Sequence, residues 1–240
     1  NIKAMEMVEN SLYKMRYGGI YDQIGYGFHR YSTDKKWLVP HFEKMLYDQA
    51  MLIHSYLDAY IATEDKFYLN VVNEIIEYVI RDMTDIEGGF YSAEDADSEG
   101  EEGVFYIWKS LELESILSND EYLFIKDKLS VKDNGNCIIE GHRTNILHIN
   151  TEIKSNNLTD YNLIRKKIFN HRENRVHPQK DDKILTDWNG LMISALARVA
   201  TITGNQKYID LCIKSTDFIL KKLKQNENKL FKRYRHGVSS

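Results

Sequence analysis

The stretch "DQAMLIHSYLDAYIATEDKFYLNVVNEIIEYVIRDMTDIEGGFY", residues 48–91, decides the fold. Its apolar residues recur at three- and four-residue steps, which predicts one helix over residues 42–62 and a second over residues 68–83. Only the polar turn at 63–66 separates them. Two helices joined by so short a turn run antiparallel and pack as a helical hairpin.

This hairpin is repeated. The stretch "DWNGLMISALARVATITGNQKYIDLCIKSTDFILKKLKQNENKLF", residues 187–231, matches it apolar for apolar, and "MVENSLYKMRYGGIYD", residues 7–22, resembles the second helix of an earlier copy. Between the later copies, residues 92–185 are less periodic. We expect there a short strand at 104–108 and helices near 111–129 and 158–173, in an insertion that covers the helices as a lid without a core of its own.

The predicted fold class is all-α: a partial (α/α)6 toroid of helical hairpins, in which loops at one rim frame a central cleft. A ring of six hairpins needs about twelve helices, and the periodicity predicts about five besides those of the insertion. The 240 residues are therefore predicted to form a single incomplete toroid domain with residues 92–185 inserted.

Composition excludes several classes of function. The formal net charge of -4 arises from 36 acidic and 32 basic side chains of mixed distribution, so nucleic acid is not an expected partner. No apolar run reaches the roughly 20 residues of a membrane span. Cys137 and Cys212 belong to no metal or redox motif, and His142 and His148 lack metal-ligand spacing. We expect a cytoplasmic protein without a metal or other cofactor.

Three segments resemble a known family: "GGIYDQIGYGFHRYSTDKKWLVPHFEKMLYDQA", "GGFYSAEDADSEGEEGVFYIW" and "DDKILTDWNGLMISALARVA". They are similar to signature segments of the spermatogenesis-associated protein 20 family of thioredoxin-domain-containing proteins. The resemblance implies an α/α six-hairpin toroid similar to that of N-acylglucosamine 2-epimerases and glycosidases. It also implies a preceding thioredoxin-like domain, which we expect to be absent from this chain and to act as its partner.

The first candidate site is the stretch at residues 27–50, expected at the toroid rim where proteins of this class contact sugars. His29 and His41 suit the removal and return of one proton, and Trp37 could stack on a sugar ring. The remaining polar residues expected to bind substrate are Arg30, Glu43 and Asp48. The alternative is structural: His41 and Glu43 would cap the next helix, Arg30 would pair with an acid, and Trp37 would be core.

The second candidate is the acidic loop "SAEDADSEGEEG" at residues 92–103. It resembles the start of a calcium loop, but Tyr106 stands where an EF-hand requires a bidentate Glu. We expect Glu94 or Asp95 to be half of an acid/base carboxylate pair, with Asp97 binding substrate. Glu101 and Glu102 are interpreted as solvated surface charges.

The third candidate is "TDWNG", residues 186–190, at the start of the repeated hairpin. Asp187 is the alternative catalytic partner of Asp95, although helix capping could also account for it. Trp188 and Asn189 suit stacking on a sugar and hydrogen bonding to its hydroxyls.

These observations favour a domain that binds or acts on a carbohydrate, as an isomerase or epimerase that uses His and carboxylate proton transfer. The alternative is a non-catalytic scaffold for the thioredoxin-like domain or a client. An incomplete ring would also leave apolar seams at its two ends. The chain is predicted to self-associate through these seams, to swap helices with a copy of itself, or to depend on the remainder of its parent protein for stability. The seam residues are Met5, Val8, Leu12, Ile209, Ile213, Ile219, Leu220 and Leu223.

Overall fold

The structure is a computed structural model that describes residues 2–150, 153 and 157–240. Its helices are α1 (Ile2–Tyr17), α2 (Leu46–Thr63), α3 (Lys66–Asp82), α4 (Ser110–Ile116), α5 (Asn119–Lys128), α6 (Leu158–Arg172), α7 (Thr186–Thr203) and α8 (Gln206–Lys222). Its strands are β1 (Tyr31–Ser32), β2 (Pro40–His41), β3 (Lys44–Met45), β4 (Ala93–Glu94), β5 (Asp97–Ser98), β6 (Glu101–Glu102), β7 (Cys137–Ile139), β8 (His142–Thr144), β9 (Lys180–Asp181), β10 (Ile184–Leu185), β11 (Lys224–Asn226), β12 (Lys229–Leu230), β13 (Arg233–Arg235) and β14 (Val238–Ser239).

The chain divides into two compact units, each built from two separate segments. The first unit comprises Asn1–Glu43 and Asp95–Gln179, and the second comprises Lys44–Glu94 and Lys180–Ser240. The insertion predicted at residues 92–185 therefore belongs mainly to the first unit, together with the N-terminal segment. The expectation of a single incomplete toroid domain stays a prediction.

The second unit contains both predicted hairpins, α2–α3 and α7–α8, with α2 also packed against α7. The two hairpins turn in the same way. Glu64 and Gly204 close the first helix of each in the left-handed region, at φ 60° and 64°. Asp65 and Asn205 then cap the second helix by accepting a backbone N–H at 2.8 and 3.0 Å. The all-α class and the internal repeat of helical hairpins, the unit of an α/α toroid, are confirmed.

The helix α2 begins four residues later than predicted. Instead of helix, Lys44 and Met45 form strand β3, which pairs antiparallel with β4, and β4 pairs with β9. The helix then starts at Leu46 with no side-chain cap. His41 and Glu43 therefore do not cap it, which excludes the structural role first considered for them.

Apolar residues of the insertion form a hydrophobic cluster with Ile24 of the N-terminal segment, and the lid role of the insertion stays a prediction. Short stripes on α5 (Tyr122, Ile125) and α6 (Tyr161, Ile164, Ile168) face this cluster at helical spacing. Its buried members are Ile24, Trp108, Leu113, Leu117, Tyr122, Ile125, Leu129, Val131, Leu147, Tyr161, Ile164 and Ile168. All but Ile24 lie in residues 92–185.

Two local predictions in the insertion are wrong in detail. The helix expected near residues 111–129 is broken at Ser118, which starts α5 with a capping box to Glu121. The strand expected at 104–108 is a turn, and only Trp108 forms a bridge, to Asn145. The carbonyls of Val104, Phe105 and Ile107 accept hydrogen bonds from Arg175 instead of from a strand.

The predicted apolar seams are only partly exposed. Leu12, Ile219 and Leu223 are buried, and Met5 and Ile209 are intermediate. Leu223 packs in a cluster with Phe218 and the C-terminal residues Phe231 and Tyr234. Val8, Ile213 and Leu220 remain exposed, at 47%, 56% and 52%. Within the described part of the chain, no helix combines the length and the apolar character needed to cross a membrane.

Candidate functional site

The loop at residues 31–41 of the first unit is a short hairpin. Tyr31 and Ser32 of β1 pair with His41 and Pro40 of β2. Asp34 closes the loop between them by accepting the backbone N–H groups of Lys36, Leu38 and Val39. Burial alone would raise the pKa of Asp34, but these three backbone hydrogen bonds outweigh it and lower the pKa. The loop is thus held in a defined shape by its own carboxylate.

Trp37 lies in that loop, half-buried. Its backbone occupies the left-handed region, at φ 61°, and its carbonyl accepts the N–H of Ile20 at 3.2 Å. The stacking role predicted for its ring stays a prediction.

His41 lies between two carboxylates. Its Nδ1 is 2.7 Å from Oε1 of Glu102, and its Nε2 is 3.1 Å from Oε2 of Glu43. Arg30 donates to the same Glu43 oxygen at 2.8 Å, and the Tyr31 ring stacks on the imidazole. Arg30, Glu43, His41 and Glu102, in that order, form a continuous row of side chains in which basic and acidic groups alternate. A carboxylate oxygen only accepts, so the ring donates to both sides only when it is protonated.

Three of these four residues, Arg30, His41 and Glu43, were predicted site residues, and the structure brings them together. The His41 side chain is 25% exposed and that of Glu102 is 33% exposed. Both are therefore accessible while being fixed by partners. A partly exposed histidine bound to a carboxylate is a common arrangement for a general acid or base.

Glu102 was interpreted from sequence as a solvated charge, and the structure gives it a different position. It lies on β6, paired with Asp97 of β5, and the turn between these strands has Glu99 at φ 56° and Gly100 at φ 86°. Positive φ at both turn residues is the type I′ geometry of a tight hairpin. Oε1 of Glu102 accepts the backbone N–H of Phe42 at 3.2 Å besides contacting His41.

Glu102 also lines a cavity of about 560 Å³ in the first unit. This volume lies in the range of roughly 300–1,000 Å³ that small-ligand sites occupy. The β5–β6 hairpin, the β7–β8 hairpin and the start of α4 contribute its walls. The lining residues are Glu99, Glu101, Glu102, Val104, Ile107, Trp108, Lys109, Glu112, Ile139, Glu140, His142, Arg143, Thr144 and Arg175.

Arg175 and Glu112 form the fixed wall of this cavity. The Arg175 guanidinium lies 3.9 Å from the centre of the Trp108 ring and donates to Glu112 Oε1 at 2.7 Å. Burial lowers the pKa of Arg175, and the hydrogen bond and charge of Glu112 oppose that effect. Because its donors are used within the protein, Arg175 shapes the cavity, and the face of Trp108 that it covers is closed to a ligand.

His29 is 3% exposed. Its Nδ1 lies 2.9 Å from the carbonyl oxygen of Phe42, and its ring packs edge-on against Phe42 and Tyr106. Since a carbonyl only accepts, Nδ1 carries the proton in this contact. The space beside His29 has a volume of only about 10 Å³, so a substrate-sized molecule does not reach it in this arrangement. The catalytic role predicted for His29 stays a prediction.

Asp95 and Asp97 are exposed. The Asp95 carboxylate accepts the N–H of Ala96 at 2.7 Å, and its own N–H donates to the carbonyl of Gln179. Neither residue lines the 560 Å³ cavity. Their proposed roles in catalysis and binding stay predictions.

The remaining predicted residues belong to the second unit. Glu94 is 7% exposed; Tyr78 donates to its Oε2 at 2.7 Å, and Lys180 lies 3.6 Å from its Oε1. Lys44, paired with Glu94 across the strands, places its ammonium 4.4 Å from the Tyr78 ring centre. This carboxylate is thus buried, with Tyr78 and Lys180 beside it, and its acid/base role stays a prediction.

Asn189 has a structural position. It is fully buried, and its side-chain amide accepts from the N–H of Phe90 and donates to the carbonyls of Phe90 and Leu185. Its hydrogen-bonding atoms therefore hold the Gly-Gly-aromatic loop against α7. The predicted role of Asn189 in binding sugar hydroxyls stays a prediction.

Asp187 is exposed, and Trp188 and Asp48 are half-buried. Asp187 forms an ion pair with Lys232; burial would raise its pKa, but the hydrogen bond and charge of Lys232 lower it. Trp188 is half-buried with its ring edge-on to Tyr47 at 4.8 Å, and Asp48 lies in the first turn of α2. Their substrate-binding and catalytic roles stay predictions.

Sequence reasoning missed Glu102 and the unpaired groups around it. The available signal was a two-residue Glu-Gly turn between short acidic strands, since that pattern favours a hairpin. Nothing in the sequence connected Glu102 to His41, 61 positions away. No group of three or more His, Cys, Asp or Glu side chains arranged to hold a metal ion occurs among the residues that the structure describes.

No family model matches this sequence. It is 35% identical over 248 residues to spermatogenesis-associated protein 20 of Homo sapiens. The aligned region covers 90% of this chain and 32% of that protein. Identity to the Rattus norvegicus protein of that name is 34%, over 90% of this chain and 31% of the relative. An uncharacterized protein of Caenorhabditis elegans is 35% identical, over 93% of this chain and 35% of the relative. The chain spans about a third of the length of these curated relatives, and the resemblance inferred from its motifs is confirmed.

Solved structures similar to this chain include two sugar-converting enzymes. Cellobiose 2-epimerase from Spirochaeta thermophila is 13% identical at a TM-score of 0.36, over 100% of this chain and 74% of that one. A D-mannose isomerase is 18% identical at a TM-score of 0.32, over 95% of this chain and 55% of that one.

Proposed function

We propose that this chain, a homologue of spermatogenesis-associated protein 20 over 90% of its length, binds a carbohydrate in the 560 Å³ cavity of its first unit and transfers a proton to or from it. The observation that carries the proposal is the contact of Glu102 with His41 at the cavity wall. The Glu102 carboxylate therefore both lines the cavity and contacts a histidine that can exchange a proton with it.

The lining of the cavity supports a polyhydroxylated ligand. Hydroxyl groups both donate and accept hydrogen bonds, and the walls offer carboxylates as acceptors together with ammonium, guanidinium and imidazole groups as donors. Val104, Ile107 and Ile139 supply apolar surface for the carbon-bound faces of a ring. A few polar groups placed around an apolar surface are typical of small-molecule sites.

Proton transfer is supported by the row of side chains formed by Arg30, Glu43, His41 and Glu102. Glu102 is the member that both lines the cavity and contacts His41. In the proposed mechanism the Glu102 carboxylate accepts a proton from the ligand, and His41 holds that carboxylate in place and exchanges protons with it. Glu43 and Arg30 fix the far side of the imidazole. Proton removal from the carbon beside a carbonyl and its return to either face would interconvert sugar isomers or epimers.

The first test is proton exchange in deuterium oxide. The 240-residue chain is incubated with aldoses and ketoses, and the loss of the proton at C2 or C1 is followed by NMR. We expect exchange with the wild-type chain and at least a hundredfold slower exchange with Glu102→Gln. The matched control is Glu227→Gln, an exposed position of the second unit, which should leave exchange unchanged.

Calorimetric titration of the same sugars separates binding from catalysis. Retained binding with lost exchange in Glu102→Gln is the expected pattern. Binding without exchange by the wild-type chain would limit the function to carbohydrate recognition. If none of the tested sugars binds, the proposal is contradicted.

A second candidate is the non-catalytic scaffold for a thioredoxin-like domain or a client. The burial of three predicted site residues, His29, Glu94 and Asn189, favours it, because these side chains are packed inside the protein itself. Under this alternative the chain binds a partner domain, measured by co-purification with a separately expressed thioredoxin-like domain, and catalyses no exchange.

A further inference from the structure

The charged groups of the 560 Å³ cavity divide into two kinds. Some are already paired within the protein: Glu102 with His41, and Glu112 with Arg175. The others, Glu99, Glu101, Lys109, Glu140, His142 and Arg143, make no side-chain hydrogen bond and no ion pair within 4.0 Å among the described residues, although the charge of Glu99 acts on Arg175. Members of this second group can offer charge to a ligand without first breaking a hydrogen bond or ion pair.

Most of the unpaired anions and cations come from different elements; the exception is Glu140, in the turn of the β7–β8 hairpin that also carries His142 and Arg143. Glu99 and Glu101 lie on the β5–β6 hairpin, whereas His142 and Arg143 lie on β8. Lys109 is the residue that precedes α4. Opposite charges thus line one cavity from separate elements and are too far apart to form ion pairs with each other at 4.0 Å or less.

A ligand of a single charge matches only part of this lining. An anion would bind Lys109 and Arg143 but would also face the carboxylates of Glu99 and Glu101, and a cation would meet the converse problem. Like charges brought together in a partly enclosed site cost binding free energy, and opposite ones lower it. A ligand with both signs satisfies both groups at once.

We propose that the cavity selects a zwitterionic sugar, which carries an ammonium group and an anionic group, either phosphate or carboxylate. This inference rests on the proposed carbohydrate function and names its substrate class. The ammonium group binds Glu99 and Glu101, and the anionic group binds Lys109, His142 and Arg143. The sugar ring then spans the cavity, with its reacting carbons on the side of Glu102.

The experiment is a two-by-two comparison of ligands by calorimetric titration of the 240-residue chain. The probes are glucosamine 6-phosphate, glucose 6-phosphate, glucosamine and glucose. We expect the dissociation constant of glucosamine 6-phosphate to be at least tenfold lower than that of either singly charged sugar, with glucose the weakest ligand. A fifth probe, 2-amino-2-deoxyglucuronic acid, distinguishes carboxylate from phosphate as the preferred anion.

Variants of the cavity residues test which residue binds the anionic group of the ligand and which binds its ammonium group. Arg143→Gln should weaken both phosphate-bearing sugars about tenfold and leave glucosamine unchanged, whereas Glu101→Gln should weaken both ammonium-bearing sugars and leave glucose 6-phosphate unchanged. Both residues are exposed, so melting temperatures should match that of the wild-type chain. Lys166→Gln, an exposed position on α6, and Glu227→Gln are the charge-matched controls.

The outcomes are distinct. Equal binding of glucose and glucosamine 6-phosphate, or tighter binding of a singly charged sugar, would overturn the zwitterion inference and leave the carbohydrate proposal standing. If none of the five probes binds, both fail. Selective binding that is unaltered by Arg143→Gln and Glu101→Gln would overturn the assignment to this cavity.

Discussion

Arg172 and Asp22 form a buried bidentate ion pair between positions 150 residues apart. Two guanidinium nitrogens donate to the two carboxylate oxygens at 2.8 and 2.9 Å, and the side chains are 3% and 4% exposed. Asp22 also accepts the backbone N–H groups of Ile24 and Gly25. Burial alone would lower the pKa of Arg172, but the charge and hydrogen bonds of Asp22 raise it. This pair joins the end of α6 to the N-terminal segment of the first unit.

Breaking this pair should strongly destabilise the chain. Arg172→Met leaves the Asp22 charge buried without its partner, for which the expected loss of unfolding free energy is about 3–5 kcal/mol. The double variant Asp22→Asn, Arg172→Met removes both charges and should be less destabilised than the single one. Urea unfolding measures these differences.

The control for this pair is exposed. Lys221 and Asp217 are 72% and 55% exposed, and Lys221→Met should change stability by less than about 1 kcal/mol. A small effect of Arg172→Met, comparable to that control, would show that the buried pair contributes little to stability.

Two glycines allow space and backbone conformation to be separated. Gly103 and Gly141 have nearly the same positive φ, 79° and 80°. A Cβ on Gly103 would lie 2.4–2.8 Å from atoms of the Phe42 ring, whereas a Cβ on Gly141 meets nothing within 4 Å. Gly141→Ala should cost about 1–2 kcal/mol for the left-handed backbone alone. Gly103→Ala should cost about 1–3 kcal/mol more because of overpacking.

Urea unfolding of both variants tests this difference. Truncation of the ring in a Phe42→Ala background should remove most of the additional cost of Gly103→Ala. Equal destabilisation of the two alanine variants would mean that the Phe42 ring moves aside without loss.

His54 is expected to make stability depend on pH. Burial lowers its pKa below the ordinary 6.5, and the charge of Arg198 lowers it further, while Asp58 opposes them. Its Nδ1 accepts from Arg198 at 2.9 Å, so the neutral ring is the form that fits this contact between α2 and α7. A histidine whose folded pKa is depressed binds its proton more readily in the unfolded chain. Stability is therefore retained above about pH 6.5 and lost as the pH falls below it.

Denaturant unfolding between pH 8 and pH 5 measures this effect. His54→Asn keeps an acceptor for Arg198 and does not titrate, so its stability should fall less steeply below pH 6.5. His148, whose pKa burial also lowers, should account for part of the remaining slope, and His148→Asn is the companion variant. An unchanged slope in His54→Asn would contradict the assignment.

Self-association through the exposed apolar residues of α1 and α8 stays a prediction. Val8, Ile213 and Leu220 are each about half exposed, and such positions favour association when they form a continuous patch. Light scattering at micromolar concentration should show a species larger than the monomer. Ile213→Lys and Leu220→Lys should return it to the monomer, and Thr201→Lys, also exposed, is the control. A wild-type monomer with a concentration-independent melting transition would contradict self-association.

The two hairpins were predictable because their determinants are local. Apolar spacing along α2, α3, α7 and α8 specifies which face is buried. The turn signals are also close in sequence: Asp65 and Asn205 each cap a helix from the position just before it. The capping box of Ser118 and Glu121 could likewise have been recognised as a break in the helix predicted there.

Other features depend on residues far apart in the sequence. The start of α2 is displaced to Leu46 because Lys44 pairs with Glu94, and the strand predicted at 104–108 is a turn because Arg175 takes its carbonyls. Sequence composition identified Arg30, His41 and Glu43 as chemically active groups, but their burial and partners are tertiary properties. Hydrophobic periodicity determined the hairpins, whereas contacts between distant residues placed Glu102 against His41 and buried His29.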